Sequence, residues 1–159
     1  MMFTFAAYEE GEIEATMAPT GNAGIIFGAV GIDTIKDSTA STANVAGVKF
    51  YYAGFIAPGK IALYADDKDD AGMYTLIQEA AIADIDDNYD ASADVTIKVE
   101  FTKDGKITLY ANGNKAFTVE GYIPFGTQIG MMVDVGNGFT PGVVVVDVKH
   151  FSYGDKFKA

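Results

Sequence analysis

The sequence predicts an all-β fold, an antiparallel β-sandwich of the jelly-roll type, and three observations support this prediction. Apolar and polar residues alternate along most of the chain, with the period of two that places successive side chains on opposite faces of a strand. No segment shows the i, i+3, i+4, i+7 apolar spacing of an amphipathic helix. Pro-Gly, Asp-Gly and Asn-Gly pairs separate the alternating segments, which places turns between strands.

The first half of the chain contains four predicted strands. Residues 11–18 alternate regularly, and residues 23–30 are apolar on both faces, as in a central strand. Residues 48–55 alternate too, and residues 60–66 follow a Pro-Gly turn. In the third of these strands the predicted core-facing set is Val48, Phe50 and Tyr52. Its predicted outward set is Lys49, Tyr51 and Ala53.

The second half predicts strands over residues 73–83, 95–102, 128–134 and 143–153, with two shorter strands between them. The alanines of residues 73–83 also fit a short helix, but the alternation of Tyr74, Leu76 and Gln78 with their neighbours favours a strand. Lys103-Asp104-Gly105 and Asn112-Gly113-Asn114 are predicted hairpin turns. No change in composition marks a boundary, so residues 1–159 are predicted to form one domain.

Composition narrows the classes of partner. The chain has 22 Asp and Glu against 11 Lys and Arg, a net charge of −11, and such a field repels nucleic acids and anionic membranes. No run of about 18 apolar residues is present, so membrane insertion is not expected. Cysteine is absent, which excludes disulfides and thiolate metal sites. The first residues lack a secretory signal pattern, as expected of a shortened longer protein or of a cytoplasmic one.

The order of the strand segments resembles the concanavalin A-like lectin/glucanase superfamily, which includes laminin-G-like domains and modules attached to bacterial glycoside hydrolases. The segments that carry the resemblance are residues 11–16, 23–28, 48–52, 59–64, 95–100 and 107–113, with Gly130 and the valine-rich last strand. The resemblance implies two curved antiparallel sheets and a sugar site on the concave face or the loop rim. It also implies calcium and an extracellular or cell-surface location. The chain lacks Trp, so any stacking on sugar rings falls to tyrosines.

Outward tyrosines with polar neighbours are the candidate sugar-binding residues, because sugar rings stack on aromatic rings and sugar hydroxyls pair with polar side chains. The candidates are Lys49, Tyr51, Tyr64, Asp66, Tyr74, Gln78 and Tyr110. They line one face if their strands share a sheet. The alternative is that the rings pack under a loop or against a second sheet. A second candidate surface is the rim formed by Tyr122, Phe125, Asn137 and Phe139.

Catalysis is not expected. Hydrolases of this superfamily carry their carboxylates in a Glu-x-Asp-x-x-Glu arrangement, and the nearest match is Glu10-Gly11-Glu12-Ile13-Glu14. This segment lacks the Asp and the flanking aromatic residues, and it fits a solvated strand face. His150 is the single histidine and has no nucleophile motif beside it.

A candidate calcium site lies in the acidic loop that follows residue 83. Asp84, Asp86, Asn88 and Asp90 place oxygen ligands at alternate positions, which is the ligand type that calcium prefers. The loop is not an EF-hand, because Tyr89 and Val95 occupy the positions that need Gly and Glu. The alternative is a solvated acidic loop.

These observations lead to one functional hypothesis and one alternative. The hypothesis is a non-catalytic carbohydrate-binding module that recognises a neutral oligo- or polysaccharide, as part of a larger polysaccharide-degrading or surface protein. The alternative is a structural or adhesion domain of a bacterial cell-surface protein, without a sugar site.

Overall fold

A computed structural model of the protein describes residues 2–17, 23–31, 48–57, 59–67, 75–133 and 148–154. These residues form eleven strands and one 3₁₀ turn at Ile82–Asp84. The strands are β1 (Met2–Ala7), β2 (Gly11–Met17), β3 (Ala23–Val30), β4 (Lys49–Ala57), β5 (Lys60–Asp66), β6 (Thr75–Ala81), β7 (Val95–Phe101), β8 (Ile107–Ala111), β9 (Asn114–Val119), β10 (Gln128–Val133) and β11 (Val148–Gly154). Within the described residues, no helix has the length and apolar character needed to cross a membrane.

The strands form two sheets in which every pair of neighbours is antiparallel. One sheet has six strands in the order β1-β10-β3-β4-β5-β6, and the other has five in the order β11-β2-β7-β8-β9. The predicted antiparallel β-sandwich is therefore confirmed. Residues 73–83 were expected to be a strand rather than a helix. Of the part that is described, residues 75–81 form β6 as expected, whereas Ile82 and Ala83 belong to the 3₁₀ turn after it.

The five-stranded sheet buries one face and leaves the other polar. Along β2 and β7 every second residue is buried and the residues between are partly exposed. Cross-strand partners share a face, so the pairing of Ile13 with Val99 and of Ala15 with Ile97 builds a continuous apolar surface. This surface belongs to the main core cluster, together with Ile25 from the six-stranded sheet.

The six-stranded sheet differs, because its centre is buried on both faces. Tyr51 and Ala53 belong to the main core cluster. Phe50 and Tyr52 alternate with them and form a second buried cluster with Ile26. The prediction that Tyr51 faces outward is wrong. Both faces of β4 are apolar, so the alternation itself did not say which face meets the other sheet.

Two predicted hairpin turns are confirmed by backbone geometry. Asn112 and Gly113 both have positive φ angles, 51° and 81°, and they form the two-residue connection between β8 and β9. Such a turn matches the right-handed twist of the strands it joins. Gly105 has a φ angle of 97° in the turn between β7 and β8. These turns make β7, β8 and β9 a continuous meander, and this meander positions the site described next.

Candidate functional site

Tyr51, one of the predicted sugar-binding residues, is part of the core. Its side chain is 3% exposed, and its ring stacks on Phe125 with ring centroids 4.8 Å apart. The phenol donates a 2.8 Å hydrogen bond to the carbonyl oxygen of Ile123. Burial raises the pKa of Tyr51 to about 12, with smaller contributions from Asp67 and Tyr122. A group packed in this way anchors the loop after β9 and is not available to a ligand.

Tyr64 and Asp66 lie on the outer face of the six-stranded sheet, since they pair with Tyr52 and Phe50. Asp66 is 3% exposed, so the expectation that it presents a carboxylate to solvent is wrong. Its cross-strand partner Phe50 belongs to the second buried cluster. Tyr64 is half-buried, with its ring centroid 6.4 Å from that of Tyr52.

The other predicted residues of this surface do not gather around Tyr64. Gln78 is exposed but pairs with Leu63, which faces the core between the sheets. The predicted outward position of Gln78 agrees with its exposure and with the packing of its neighbour Ile77 against the main core cluster, although a register shift between Leu63 and Tyr64 interrupts the ladder beside it. Lys49 is partly buried, opposite Val30. Tyr74 lies outside the described residues.

Tyr110 lies on β8, in the five-stranded sheet. The predicted set therefore does not line one face, because Tyr64 and Tyr110 belong to different sheets. Tyr110 is partly exposed, and its cross-strand partners are Lys98 on β7 and Lys115 on β9. It points to the outer face of its sheet, away from the core.

Tyr110 contacts two charged side chains, Glu100 and Lys98, which also pair with each other. Its hydroxyl donates to Glu100 Oε2 at 3.3 Å, and Lys98 Nζ lies 3.4 Å from Glu100 Oε1. The same ammonium lies 4.4 Å from the centroid of the Tyr110 ring, a favourable position for a cation over an aromatic face. Two contacts thus hold the tyrosine, and the Lys98–Glu100 ion pair joins its two partners.

A pocket of about 310 Å³ opens on this outer face, beside Tyr110. We name it the meander pocket; its lining residues are Glu100, Thr102, Lys106, Thr108, Tyr110, Lys115 and Thr118. The hydroxyls of Thr108 and Thr118 are hydrogen-bonded to each other at 3.0 Å. Lys98, which covers one face of the Tyr110 ring, does not line the pocket.

Sequence reasoning identified Tyr110 but missed the meander pocket around it. A signal for the pocket was present, because two hairpin turns join β7, β8 and β9 consecutively. Outward residues of a continuous meander must share one face. The alternating Thr, Lys and Glu residues of 98–118 could therefore have been placed together.

The segment considered for catalysis lies on the same outer face, one strand further on. Glu12 pairs with Glu100, and Glu14 pairs with Lys98. Glu10 accepts a 3.3 Å hydrogen bond from the backbone N–H of Lys103. None of these three glutamates lines the meander pocket.

The acidic loop uses its carboxylates to close its own turns. Asp86 accepts one hydrogen bond from the backbone of Asn88 and one from the side chain of Asn112, each at 3.0 Å. Asp90 accepts two from Ser92, at 2.8 and 2.7 Å, and the side-chain bond is the main cause of its lowered pKa. In the part of the chain that the structure describes, no group of three or more His, Cys, Asp or Glu could hold a metal ion. The calcium site stays a prediction.

The second predicted surface, the loop rim, is described only in part. Tyr122 and Phe125 are partly buried against the main core cluster, and the backbone N–H of Phe125 donates to the carbonyl of Gly28 at 2.9 Å. Asn137 and Phe139 lie outside the described residues. The two described residues of this rim therefore pack against the core and stabilise the fold.

Comparison with known proteins gives matches in structure but not in sequence. No protein-family model matches the chain, and no curated protein sequence does. Carbohydrate-binding module CBM66 from Bacillus subtilis is 13% identical with a TM-score of 0.63, over 95% of this chain and 78% of that one. A Bacillus licheniformis β-glucanase is 12% identical with a TM-score of 0.62, over 97% and 70%. A tetrameric galectin from the sponge Cinachyrella sp. is 13% identical with a TM-score of 0.56, over 96% of both chains. At these identities the similarity is one of fold, and the chain has the concanavalin A-like jelly-roll fold that its strand order predicts.

Proposed function

We propose that this chain is a non-catalytic carbohydrate-binding module, and that it holds a glycan in the meander pocket. The observation that carries the proposal is the lining of that pocket. Three threonine hydroxyls, two lysines, one glutamate and one tyrosine face the same space of about 310 Å³. A volume of this size lies at the lower end of the usual range for small-molecule sites, roughly 300–1,000 Å³.

The chemistry of the lining suits a polyhydroxylated ligand. Each sugar hydroxyl is both a donor and an acceptor, and so is the hydroxyl of a threonine such as Thr102. Glu100 is an acceptor, while Lys106 and Lys115 are donors. The Tyr110 ring contributes an apolar edge or face to the pocket wall, where sugar C–H groups can pack.

The fold supports this proposal without determining the ligand. A carbohydrate-binding module and a galectin have a similar sandwich fold. Both names denote sugar-binding proteins, so the same fold supports sugar binding elsewhere. We further propose that the module is part of a larger extracellular or cell-surface protein. This second proposal rests on the resemblance to modules attached to glycoside hydrolases.

The carboxylates of the site favour binding over hydrolysis. Glycosidases generally need two carboxyl groups that flank one bond. Among the lining residues of the meander pocket there is one carboxylate, Glu100. It is engaged by the Lys98 ammonium and the Tyr110 hydroxyl.

Retardation in affinity gels that contain a series of plant and microbial polysaccharides tests the proposal. The folded wild-type protein is expected to be retarded by at least one of them, without releasing reducing ends. Tyr110→Phe separates the ring from the hydroxyl, because it keeps the packing surface and removes the bond to Glu100. Migration unaffected by every polysaccharide would contradict the proposal and favour a structural or adhesion domain. Hydrolysis that disappears in Glu12→Gln would show that the protein is an enzyme.

A further inference from the structure

The meander pocket is lined by two lysines. Lys106 and Lys115 are exposed and line the pocket from the turn just before β8 and from β9. Neither forms an ion pair with any residue among those described, whereas Lys98 and Lys60 pair with Glu100 and Glu79. The pocket therefore holds two ammonium groups that are available to a ligand.

The backbone around Lys106 fixes where its side chain leaves the sheet. Its N–H donates to Thr102 Oγ1 at 3.1 Å, and its carbonyl accepts from the N–H of Thr102 at 3.0 Å. Lys115 is positioned by the ladder, opposite Tyr110. Lys106 thus leaves the turn just before β8, and Lys115 leaves the adjacent strand β9.

The local charge of the pocket is opposite in sign to the charge of the chain. The whole chain carries −11, while the lining carries two lysines and one glutamate, which gives +2 − 1 = +1. Glu100 is in turn neutralised by Lys98 at 3.4 Å. At physiological ionic strength charges beyond about 8 Å are largely screened, so the charges that act on a bound group are those of the lining residues and of their immediate neighbours, Lys98 and Glu12.

We infer that the sugar unit held in the meander pocket carries an acidic group, either the carboxylate of a uronic acid or a sulfate ester. This inference rests on the proposed function and narrows it. Both groups present several acceptor oxygens to lysine donors, and charged hydrogen bonds are stronger than neutral ones. The charge of the whole chain led us to expect a neutral glycan, whereas the charge of the pocket lining favours a glycan with an acidic unit.

Matched polysaccharide pairs test the inference. Polygalacturonate and its fully methyl-esterified form share a backbone and differ in carboxylate charge, and dextran sulfate and dextran differ in sulfate charge. We expect affinity electrophoresis or calorimetry to show tighter binding to the charged member of at least one pair, and the pair that responds identifies the acidic group. Because the protein carries −11, non-specific adsorption to polyanions is disfavoured.

Charge-matched variants separate the pocket from the rest of the surface. The double variant Lys106→Gln and Lys115→Gln is expected to weaken binding to the charged polysaccharide by at least about fivefold, which corresponds to about 1 kcal/mol. The control double variant Lys60→Gln and Lys103→Gln changes the net charge equally, at residues that do not line the pocket. It is expected to bind as the wild type does. All four positions are exposed, so folding is preserved.

Three outcomes are distinguishable. Preference for a charged polysaccharide, lost in the Lys106/Lys115 variant alone, supports the inference. Equal binding to charged and uncharged members, with loss in Tyr110→Ala but not in the lysine variant, overturns the inference and leaves the proposed function intact. Failure to bind any of the polysaccharides, including uncharged ones, contradicts the proposed function and the inference with it.

Discussion

Tyr51 provides a quantitative test of the packing, because its ring and its hydroxyl can be removed separately. Tyr51→Phe removes only the 2.8 Å bond to the carbonyl of Ile123. Ile123 is 64% exposed, so water can reach that carbonyl in place of the phenol. The loss in free energy of unfolding should therefore lie near the middle of the range for one hydrogen bond, about 1 kcal/mol. For a chain of this length that lowers the Tm by about 2–4 °C.

Tyr51→Ala removes the ring as well. The ring stacks on Phe27 and Phe125, with centroids 5.5 and 4.8 Å away, and meets Tyr122 edge-on at 6.4 Å. Deleting a buried aromatic side chain costs about 3–5 kcal/mol, so Tyr51→Ala should be destabilised by about 3 kcal/mol more than Tyr51→Phe. Urea denaturation of the three proteins, followed by circular dichroism, measures both differences.

The same residue makes stability depend on alkaline pH. An unfolded tyrosine ionises near pH 10, whereas the pKa of Tyr51 in the folded protein is about 12. Between these values the unfolded state binds fewer protons, so stability falls as the pH rises from about 10 to about 12. Tyr51→Phe should lose less stability than the wild type over this interval. A Tyr51→Phe protein that is fully stable but no longer binds glycan would refute the assignment of this residue to the core.

Three further predictions concern the scaffold and the acidic loop. A Cβ at Gly54 would lie 2.4 Å from the carbonyl oxygen of Ala23, so Gly54→Ala should cost at least about 2 kcal/mol in urea denaturation; wild-type stability would contradict this close approach. Asn112→Ala loses bonds to the Thr96 N–H and to Asp86, both 3.0 Å long, so we expect a loss of about 2 kcal/mol and faster amide exchange at Thr96. If the acidic loop binds calcium, added calcium raises the Tm and EDTA reverses the rise; an unchanged Tm in both would contradict that prediction.

Alternation predicted the sheet faces correctly where one face meets solvent. In β2 and β7 the apolar positions are buried and the polar positions are partly exposed, because only one face of these strands is covered. The same reasoning failed in β4. There Phe50 and Tyr51 are both buried, on opposite faces of the sheet. The hydrophobic pattern of this strand therefore does not predict which face packs against the other sheet.

The candidate site was predictable only residue by residue, since its assembly depends on pairing between distant segments. Nothing local to Tyr64 or Tyr110 indicates that β5 and β8 belong to different sheets. The shift in register after Leu63 is likewise set by pairing with β6. By contrast, the turn at Asn112-Gly113 is encoded locally, because Asn and Gly tolerate the positive φ angles that it requires.

The most direct test of the account compares two tyrosines on opposite sheets, on a polysaccharide that the wild type binds. Tyr110 lines the meander pocket, while Tyr64 lies half-buried on the outer face of the six-stranded sheet. Isothermal titration calorimetry of Tyr110→Ala should show binding weakened by up to about tenfold, as expected for the loss of an aromatic contact. The affinity of Tyr64→Ala should stay within about twofold of the wild type, since Tyr64 lies on the other sheet and does not line the pocket. The reverse result, with Tyr64→Ala impaired and Tyr110→Ala unaffected, would place the glycan on the six-stranded sheet and contradict the account.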